Sequence, residues 1–304
     1  MIIVTGGLGF IGNELVRQLM AQGEEVAIVD NRNRVAPHAE DLENIPVYEI
    51  DITDAQKVKE LFVNLKPHTV FHLAAIHYIP ECNDDPRRTL HINVEGTQSI
   101  LDAAAVAGVQ KIIFASSGAV YADNKESLAE NAPIAPVDIY GWSKLFGEQL
   151  CRLHYSMYGT AIVICRLFNN YGPRETNMHI IPEVLKQLKA GNTLQLGNIS
   201  TVRDYIHTKD CATALIKLAA CCSSDVKVVN VAHGNGYTVQ EMIEKIQTIT
   251  ARDISIHKEE SRCRKIDKQT QVANINLLKE LTGWQPDCTI EKGLTDLLKF
   301  EKII

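Results

Sequence analysis

The sequence predicts an α/β fold in which a doubly wound parallel sheet is followed by a smaller α/β domain. Short apolar runs alternate with helix-like stretches over the first 170 residues, which is typical of parallel strands joined by helical crossovers. The earliest runs are apolar at every position, as in strands buried on both faces. A glycine-rich turn directly follows the first run. A chain of 304 residues can hold one large domain or two closely joined domains.

The predicted elements follow the chain in alternation. The strands lie at 2–4, 26–29, 47–50, 70–73, 111–115 and 161–167, and the helices at 13–22, 55–65, 86–107 and 140–158. Right-handed crossovers then place helices on both faces and ligands at the carboxyl ends of the strands. Beyond residue 170 the pattern loosens, with helices at 182–190, 239–250 and 290–299. We therefore expect a first domain over 1–169, to which 204–220 return, and a second over 170–203 and 221–304.

The turn after the first strand is suited to a dinucleotide pyrophosphate. Residues 5–12 read Thr-Gly-Gly-Leu-Gly-Phe-Ile-Gly. Gly6 permits the tight turn, Gly9 lets backbone amides approach the phosphates, and Gly12 lets the helix pack closely on the strand. Phe10 and Ile11 begin that helix, whose N-terminus faces the anion. This strand, turn and helix predict a Rossmann-type cofactor site.

The end of the second predicted strand indicates which dinucleotide binds. Asp30 ends the strand and Asn31 follows it. An acid at this position binds the adenosine ribose hydroxyls and repels a 2′-phosphate. We therefore expect NAD, with NADP as the alternative because Arg32 and Arg34 follow closely and could pair with a phosphate.

Composition narrows the classes of partner and compartment. A formal net charge of −6 gives no reason to expect nucleic acid or an acidic membrane surface as a partner. No apolar run approaches the length of a membrane span, and the first strand begins without a leader pattern, so we expect a cytoplasmic protein. The eight cysteines lack C-x-x-C spacing and a clustered histidine, so neither a metal site nor a disulfide framework is expected.

A tyrosine and a lysine provide the candidate chemistry. Tyr140 and Lys144 stand four apart in a predicted helix, so both emerge on one face, about 5–6 Å apart at Cβ. An ammonium beside a phenol lowers the pKa of the phenol, and an oxidised nicotinamide lowers it further. Such a group can take a proton from a sugar hydroxyl while hydride passes to the cofactor. The strand 111–115 delivers Ser116 and Ser117 to the same edge, where Ser117 can hold the substrate oxygen.

Further segments accompany these features. They are Asp51-Ile52, His72-Leu73-Ala74-Ala75, Asn93, Ser-Ser-Gly-Ala-Val-Tyr at 116–121, Arg-Leu-Phe-Asn-Asn-Tyr-Gly-Pro at 166–173 and Arg-Asp-Tyr-Ile-His at 203–207. With them the chain closely resembles the extended short-chain dehydrogenase/reductase family, in its nucleotide-sugar epimerase/dehydratase branch, over nearly its whole length. It looks most like the UDP-glucose 4-epimerase type. The resemblance implies an NAD-binding Rossmann domain followed by a nucleotide-sugar-binding domain.

The resemblance also implies residue roles. Tyr140 would be the base, Lys144 would bind the nicotinamide ribose, and Ser117 would bind the reacting hydroxyl. Asn169, Arg203 and Arg264 would contact the phosphates and sugar of the nucleotide. A homodimer paired through helices 86–107 and 140–158 is implied as well. The remaining expected cofactor contacts are Asp51, Ile52, Leu73, Ala74, Ala75, Asn93, Ser116 and Phe168.

The residues after Ser117 favour one reaction within this branch. Similar dehydratases carry a glutamate beside the active-site Ser or Thr, whereas here Gly118 and Ala119 follow. Without that acid, oxidation and re-reduction at C4 through a transient 4-keto sugar is the simplest chemistry. The alternative is a dehydratase that recruits His77, Cys82 or a distant carboxylate. A redox-sensing or structural protein that binds NAD is the non-enzymatic alternative, against which the intact Ser117, Tyr140 and Lys144 argue.

Several positions depart from the family pattern or leave the substrate open. His77 lies in a segment that departs from the family's usual sugar-facing segment, and His179 stands where the family commonly has an asparagine. Each histidine could be an added acid or base or a structural side chain. Gln271 stands where strict hexose epimerases share a bulky tyrosine. A different side chain at this position could admit N-acetylated or otherwise substituted sugars. Leu194 and Leu196, at strand spacing, could flank the nucleobase or belong to the core. The segment 196–198 also resembles GDP-mannose dehydratases, which leaves the base open between uracil and guanine.

Overall fold

The computed structural model describes residues 1–37, 42, 44–263 and 267–304. Its strands are β1 (Ile2–Thr5), β2 (Val26–Asp30), β3 (Val47–Glu49), β4 (Thr69–His72), β5 (Lys111–Ser117), β6 (Ala161–Leu167), β7 (Asn169–Tyr171), β8 (Thr193–Leu196), β9 (Val202–His207), β10 (Val226–Val231), β11 (Gly236–Thr238), β12 (Ser255–Lys258) and β13 (Thr270–Gln271). Its helices are α1 (Phe10–Ala21), α2 (Ala55–Leu65), α3 (Ile79–Asp84), α4 (Pro86–Leu90), α5 (Gly96–Ala107), α6 (Ile139–Tyr158), α7 (Ile180–Ala190), α8 (Thr208–Ala220), α9 (Val239–Thr250), α10 (Asn276–Thr282) and α11 (Ile290–Phe300).

The central sheet has seven parallel strands in the order β10-β6-β5-β4-β1-β2-β3. The predicted α/β fold with a doubly wound parallel sheet is therefore confirmed, and all six predicted strands are present. The chain runs from β1 outward to β3, then returns to β4 on the other side of β1. The strand order thus reverses between β1 and β4, where a crevice opens at the carboxyl ends of the strands.

The strands of this sheet send alternate side chains to two separate apolar layers. Ile2, Val4 and Ile28 belong to one buried cluster, whereas Ile3 and Val29 belong to the cluster on the opposite face. Successive side chains of a strand point to opposite faces, so a strand apolar at every position requires cover on both. Helices α1 and α8 pack on one another over the first cluster, and α2 and α5 pack together over the second.

Strand pairing refines the predicted division of the chain. β10, which lies in the segment 221–304 that was expected in the second domain, pairs with β6 at the edge of the central sheet. In the returning segment 204–220, α8 packs on the central sheet, but β9 pairs with β7, β11 and β13 in a separate sheet. A third apolar cluster lies beneath that sheet and includes Leu194, Leu196 and Tyr205. The exact domain boundaries remain a prediction.

One predicted helix is interrupted. The stretch 86–107 consists of α4, a π-helical turn at His91–Glu95, and α5. π-Helical turns are rare and frequently occur at functional sites, and this one carries the buried Asn93. None of the helices in the described residues combines the length and the apolar character needed to cross a bilayer.

Candidate active site

A cavity of about 1230 Å³ opens at the carboxyl ends of the central strands. One part of its wall contains the predicted cofactor residues Gly6, Gly9, Phe10, Ile11, Gly12, Asp30, Asn31, Ile52, Leu73, Ala74, Ala75, Ser116, Tyr140, Lys144 and Phe168. The predicted substrate residues His77, Ser117, Asn169, His179, Arg203 and Gln271 also line it. The structure therefore brings residues from distant segments of the sequence together around one volume.

The glycine turn has the close contacts that its sequence predicts. Gly6 adopts a positive φ of 71°, a conformation that glycine adopts readily. A Cβ on Gly12 would lie 2.1 Å from the carbonyl oxygen of Gly6, so no larger residue fits without moving backbone. Helix α1 can therefore begin directly behind the turn, with its first amides facing the cavity.

Asp30 supports this turn as well as facing the cavity. Its carboxylate accepts the backbone N–H of Leu8 at 3.1 Å and that of Arg32 at 2.8 Å. Burial nevertheless raises the pKa of Asp30 above its ordinary value. The two nearby arginines have carboxylate partners, since Arg32 lies 3.3 Å from Glu49 and Arg34 pairs with Glu81. These pairs do not resemble a pocket prepared for a 2′-phosphate, in agreement with NAD.

Ser117, Tyr140 and Lys144 meet at one place in the wall. Ser117 Oγ accepts the backbone N–H of Ala119 at 3.1 Å, and the Ser117 hydroxyl lies close enough to Tyr140 to lower the pKa of its phenol. Lys144 Nζ lies 6.0 Å from the centroid of the Tyr140 ring and donates to the carbonyl oxygen of Ala115 at 2.8 Å. Strand β5 and helix α6 thus place a hydroxyl, a phenol and an amine together, as predicted.

Burial dominates the pKa values of Tyr140 and Lys144. Burial raises the pKa of Tyr140 far above its ordinary value, and the hydrogen bond from Ser117 only partly opposes this effect. Burial also lowers the pKa of Lys144 to about 8, because desolvation disfavours its charged form. The expectation combined this ammonium with the charge of an oxidised nicotinamide, and without that second charge the phenol of Tyr140 stays protonated near neutral pH. Desolvation outweighs the nearby charge, and an added cation is needed to favour the phenolate.

A buried ion pair lies behind this set. Ser116 Oγ donates to Glu148 at 2.5 Å, and the same carboxylate binds Arg166 through two hydrogen bonds of 2.9 and 2.8 Å. The guanidinium also lies 4.7 Å from the Tyr121 ring centroid. Glu148 and Arg166 are both almost completely buried. This paired geometry fixes β5 against α6, and hence Ser117 against Tyr140.

Two predicted cofactor contacts do not line the cavity. Asn93 is buried and holds the backbone of Ile76 through two hydrogen bonds of 2.8 Å, with a third to Ser143 at 2.9 Å. It therefore positions the wall instead of touching a ligand across it. Asp51 lies beside the cavity and accepts a hydrogen bond from Asn31 at 3.2 Å.

The predicted substrate residues divide in the same way. Arg203 faces the cavity, but its guanidinium is bound to Asp267 at 2.7 Å and to the carbonyl oxygen of Lys268 at 2.8 Å. Gln271 donates to the carbonyl oxygen of Gly118 at 2.5 Å, directly behind Ser117. Arg264 lies outside the described residues.

Leu194 and Leu196 occupy the core, not the cavity wall. Their exposures are 0% and 2%, and both belong to the third apolar cluster. The expectation that they flank a nucleobase is corrected by this burial. Alternation at strand spacing describes a buried strand face and a ligand-facing pair equally well, so the sequence could not separate the two.

The far wall contains polar residues that the sequence analysis did not identify. Glu175 lines the cavity and lies with His77 and His179 in one cluster. Asn177, which is 4% exposed, donates a hydrogen bond to His77 Nε2 at 3.0 Å. Burial raises the pKa of Glu175 to about 7 and lowers that of His77 to about 4. The available signal was that Glu175 and Asn177 follow the Asn-Tyr-Gly-Pro segment in the same loop as His179.

Cys82, by contrast, is poorly suited to acid–base chemistry. Its thiol is fully buried and donates to the carbonyl oxygen of Ile76 at 3.6 Å. Burial raises the pKa of Cys82 to about 11. A thiol of this kind behaves as a small apolar side chain, since reactive cysteines are exposed and have a lowered pKa.

Comparison with known proteins agrees with this site. The model of the NAD dependent epimerase/dehydratase family matches residues 2–232, and the chain belongs to that family. The UDP-glucose 4-epimerase of Halalkalibacterium halodurans is 30% identical over 305 residues, covering 94% of this chain and 90% of the relative. The GDP-6-deoxy-D-mannose reductase of Pseudomonas aeruginosa is 29% identical over 307 residues, covering 98% and 95% respectively.

A solved structure extends the comparison to the fold. The UDP-glucose 4-epimerase of Thermus thermophilus in complex with NAD matches with a TM-score of 0.90 and 28% identity, over 99% of this chain and 98% of that one. The family predicted from the sequence is confirmed. NAD, the cofactor in the family's name, fits the glycine turn and Asp30 described above.

Proposed function

We propose that this protein is an NAD-dependent nucleotide-sugar 4-epimerase that acts on a UDP-sugar. The observation that carries the proposal is the placement of Ser117, Tyr140 and Lys144 together at the carboxyl edge of the sheet, in one cavity with the glycine turn. The similarity to UDP-glucose 4-epimerases over almost the whole chain supports it.

The chain supplies the proton chemistry and the positioning. Bound NAD would supply a hydride acceptor for C4 and a positive charge near the phenol. Tyr140 takes the proton of the 4-hydroxyl and later returns it, while Ser117 holds the same oxygen. Lys144 lies beside the phenol ring, where it can bind the nicotinamide ribose. Return of the hydride to the other face of a 4-keto sugar inverts C4.

Epimerisation fits the wall near Ser117 better than dehydration does. Gly118 and Ala119 follow Ser117, and both lie against the cavity without an acidic side chain. Asn169, Arg203 and Gln271 line the part of the cavity beyond Ser117, where we place the sugar and its pyrophosphate. Arg203 would exchange its single contact with Asp267 for phosphate oxygens, which can bind a guanidinium through two hydrogen bonds.

Product analysis tests the proposal. The protein is incubated separately with UDP-glucose, UDP-N-acetylglucosamine, UDP-glucuronate and GDP-mannose, and the anomeric protons are followed by NMR. We expect an equilibrium mixture of C4 epimers from at least one UDP-sugar. NAD should not be consumed in net terms, because the hydride returns to the sugar in each cycle. Formation of only 4-keto-6-deoxy or unsaturated products would overturn the proposal, and epimerisation of the GDP-sugar alone would correct the base.

We further propose a homodimer formed through α6. Four large apolar side chains, Trp142, Phe146, Leu153 and Met157, are 43–61% exposed on this helix. At 100° per residue they fall within about 60° of one another on one face, and Val106 on neighbouring α5 is 57% exposed. An apolar stripe of this kind is typical of an interface, and self-pairing across a two-fold axis is the commonest way to cover one.

Light scattering after size-exclusion chromatography tests the dimer. We expect twice the chain mass for the unaltered protein and a monomer for Leu153→Lys, because a lysine in the middle of the stripe leaves a charge unpaired in the interface. Met20→Lys is the control, since Met20 is 42% exposed on α1, away from the stripe. A monomeric unaltered protein, or a dimer that survives Leu153→Lys, would contradict the proposed interface.

A further inference from the structure

Two histidines and a glutamate converge on the cavity wall that the loop 172–179 largely forms. One ligand atom each from His77, Glu175 and His179 lies within 4.8 Å of the other two. The histidine rings are 5.7 Å apart between centroids. All three residues are half-buried and line the cavity. Imidazole and carboxylate are ligand types that bind divalent transition metals.

Nε2 of His77 is an acceptor in this structure, and a metal ion would take the place of the side-chain amide that donates to it. Arg34, which can only donate, binds the side-chain oxygen of Asn177 and thereby turns the Asn177 amide nitrogen towards His77 Nε2 at 3.0 Å. Nε2 is therefore the unprotonated nitrogen. The other ring nitrogen then carries the proton, and the backbone of Ala75 favours the protonated ring. Metal-bound histidines commonly have this arrangement, in which a carbonyl fixes the ring and its tautomer.

The carboxylate of Glu175 is half-buried and is held by backbone amides. One oxygen accepts the backbone N–H groups of Thr176 at 2.9 Å and Asn177 at 3.0 Å. Among the charged side chains of the described residues, none stabilises its ionised form. A buried carboxylate with only two amide donors is costly to keep ionised. A bound cation would supply the missing charge.

We propose that His77, Glu175 and His179 form a binding site for a divalent transition-metal ion, of which Zn²⁺ is the best fit. Three protein ligands with a fourth position open to a cavity is the usual arrangement of a non-structural zinc site. The fourth ligand would be water or an oxygen of the bound sugar. Mg²⁺ and Ca²⁺ fit this site less well, because they bind oxygen ligands and gain nothing from imidazole. This site does not depend on the proposed epimerase activity.

Cobalt spectroscopy tests this site directly. Chelator-treated, dialysed protein is titrated with CoCl₂, and visible d–d absorption and metal content per chain are measured. We expect one Co²⁺ per chain in a site of nitrogen and oxygen ligands, without near-ultraviolet thiolate-to-cobalt absorption. Zn²⁺ should displace the Co²⁺. Absorption from a thiolate complex, or no saturable binding, would overturn the proposal.

Variants assign the ligands. Glu175→Gln and His179→Gln should each weaken Co²⁺ binding by more than about 100-fold, since loss of an outer contact alone costs about 10- to 100-fold. His257→Gln is the matched control, because His257 is exposed on β12. NAD binding, measured for every variant, reports whether the cavity is folded. Unchanged Co²⁺ affinity in both ligand variants, with NAD binding retained, would show that the metal binds elsewhere and would overturn the assignment.

Discussion

The two walls of the cavity are built differently. The cofactor wall, named for the predicted cofactor residues that line it, consists of strand ends and the start of α1, and several of its buried polar groups have partners within the protein. His72 bonds Thr5 at 2.7 Å and Thr97 at 3.0 Å through its two ring nitrogens, and Asp30 accepts two backbone amides. The far wall, called the sugar wall below because the proposed sugar site adjoins it, is formed largely by the loop 172–179, where no charged side chain of the described residues stabilises Glu175 in its ionised form.

The cofactor wall is therefore preformed, whereas the sugar wall has a buried polar group that a bound ligand could satisfy. The cofactor wall is fixed by the regular geometry of a parallel sheet, so the same few residue types suffice wherever that geometry recurs. The sugar wall is carried on loops, where residues can vary without disturbing the sheet. We therefore expect substitutions on the cofactor wall to abolish binding, and substitutions behind the sugar wall to change stability first.

The largest effect is expected for Gly12→Ala on the cofactor wall. The added Cβ would lie 2.1 Å from Gly6 O and 2.8 Å from Gly7 Cα. The backbone must move, at a cost of about 3 kcal/mol or more, the upper end of overpacking penalties. We expect measurable NAD binding to disappear in calorimetric titration. Gly191→Ala is the control, since a Cβ there meets nothing within 4 Å. Near-normal affinity in Gly12→Ala would show that this wall is not preformed.

Leu194→Ala sharpens the comparison from behind the sugar wall. Leu194 is fully buried in the third apolar cluster, so removing its side chain should lower the free energy of unfolding by about 2–5 kcal/mol. The affinity of the folded protein for UDP should stay unchanged, because the side chain does not reach the cavity. Urea unfolding and UDP titration measure the two quantities. Weaker UDP binding without loss of stability would support the original expectation that Leu194 contacts the nucleobase.

The cofactor wall could be predicted almost completely from the sequence. Gly6, Gly12 and Asp30 lie close together along the chain, and their spacing reflects a single strand, turn and helix. Tyr140 and Lys144 are likewise set by one helical turn. Local spacing therefore carries the information when one or two neighbouring elements form the contact.

The sugar wall could be predicted only in part, because its contacts join distant segments. His77 meets Asn177 at 3.0 Å across 100 residues of sequence, and no periodicity links these positions. The burial that raises the pKa of Tyr140 also arises from tertiary packing, so the sequence could place the phenol beside the amine but could not show how strongly desolvation opposes ionisation of the phenol. The strand β10 was assigned to the second domain because its position in the central sheet depends on pairing with β6.

Tyr140→Phe tests the chemistry that connects the two walls. Loss of the phenol oxygen removes the group that exchanges the proton, so turnover should fall by at least about 100-fold. NAD affinity should change little, because the ring and its packing remain. Tyr158→Phe is the control, since Tyr158 ends the same helix and is 53% exposed. Turnover near the normal rate in Tyr140→Phe would remove this residue from catalysis while leaving the cofactor wall intact.

The smallest effect is expected in the pH dependence of stability that comes from Lys144. Burial lowers the pKa of Lys144 from 10.5 to about 8, so between these values the unfolded chain binds a proton that the folded chain does not. The free energy of unfolding must therefore rise with pH in this window, by at most about 1.4 kcal/mol per pH unit for one proton.

Lys144→Met isolates this contribution. Urea unfolding of both proteins is compared between pH 8 and pH 10.5, so that titration of shared tyrosines and cysteines cancels in the difference. The unaltered protein should gain stability relative to Lys144→Met as the pH rises, because deprotonation removes the cost of a buried ammonium. If the difference in the free energy of unfolding between the two proteins stays constant across this window, Lys144 is as well solvated as a surface lysine. Water would then reach the cofactor wall beside Tyr140, where the proposed chemistry requires its exclusion.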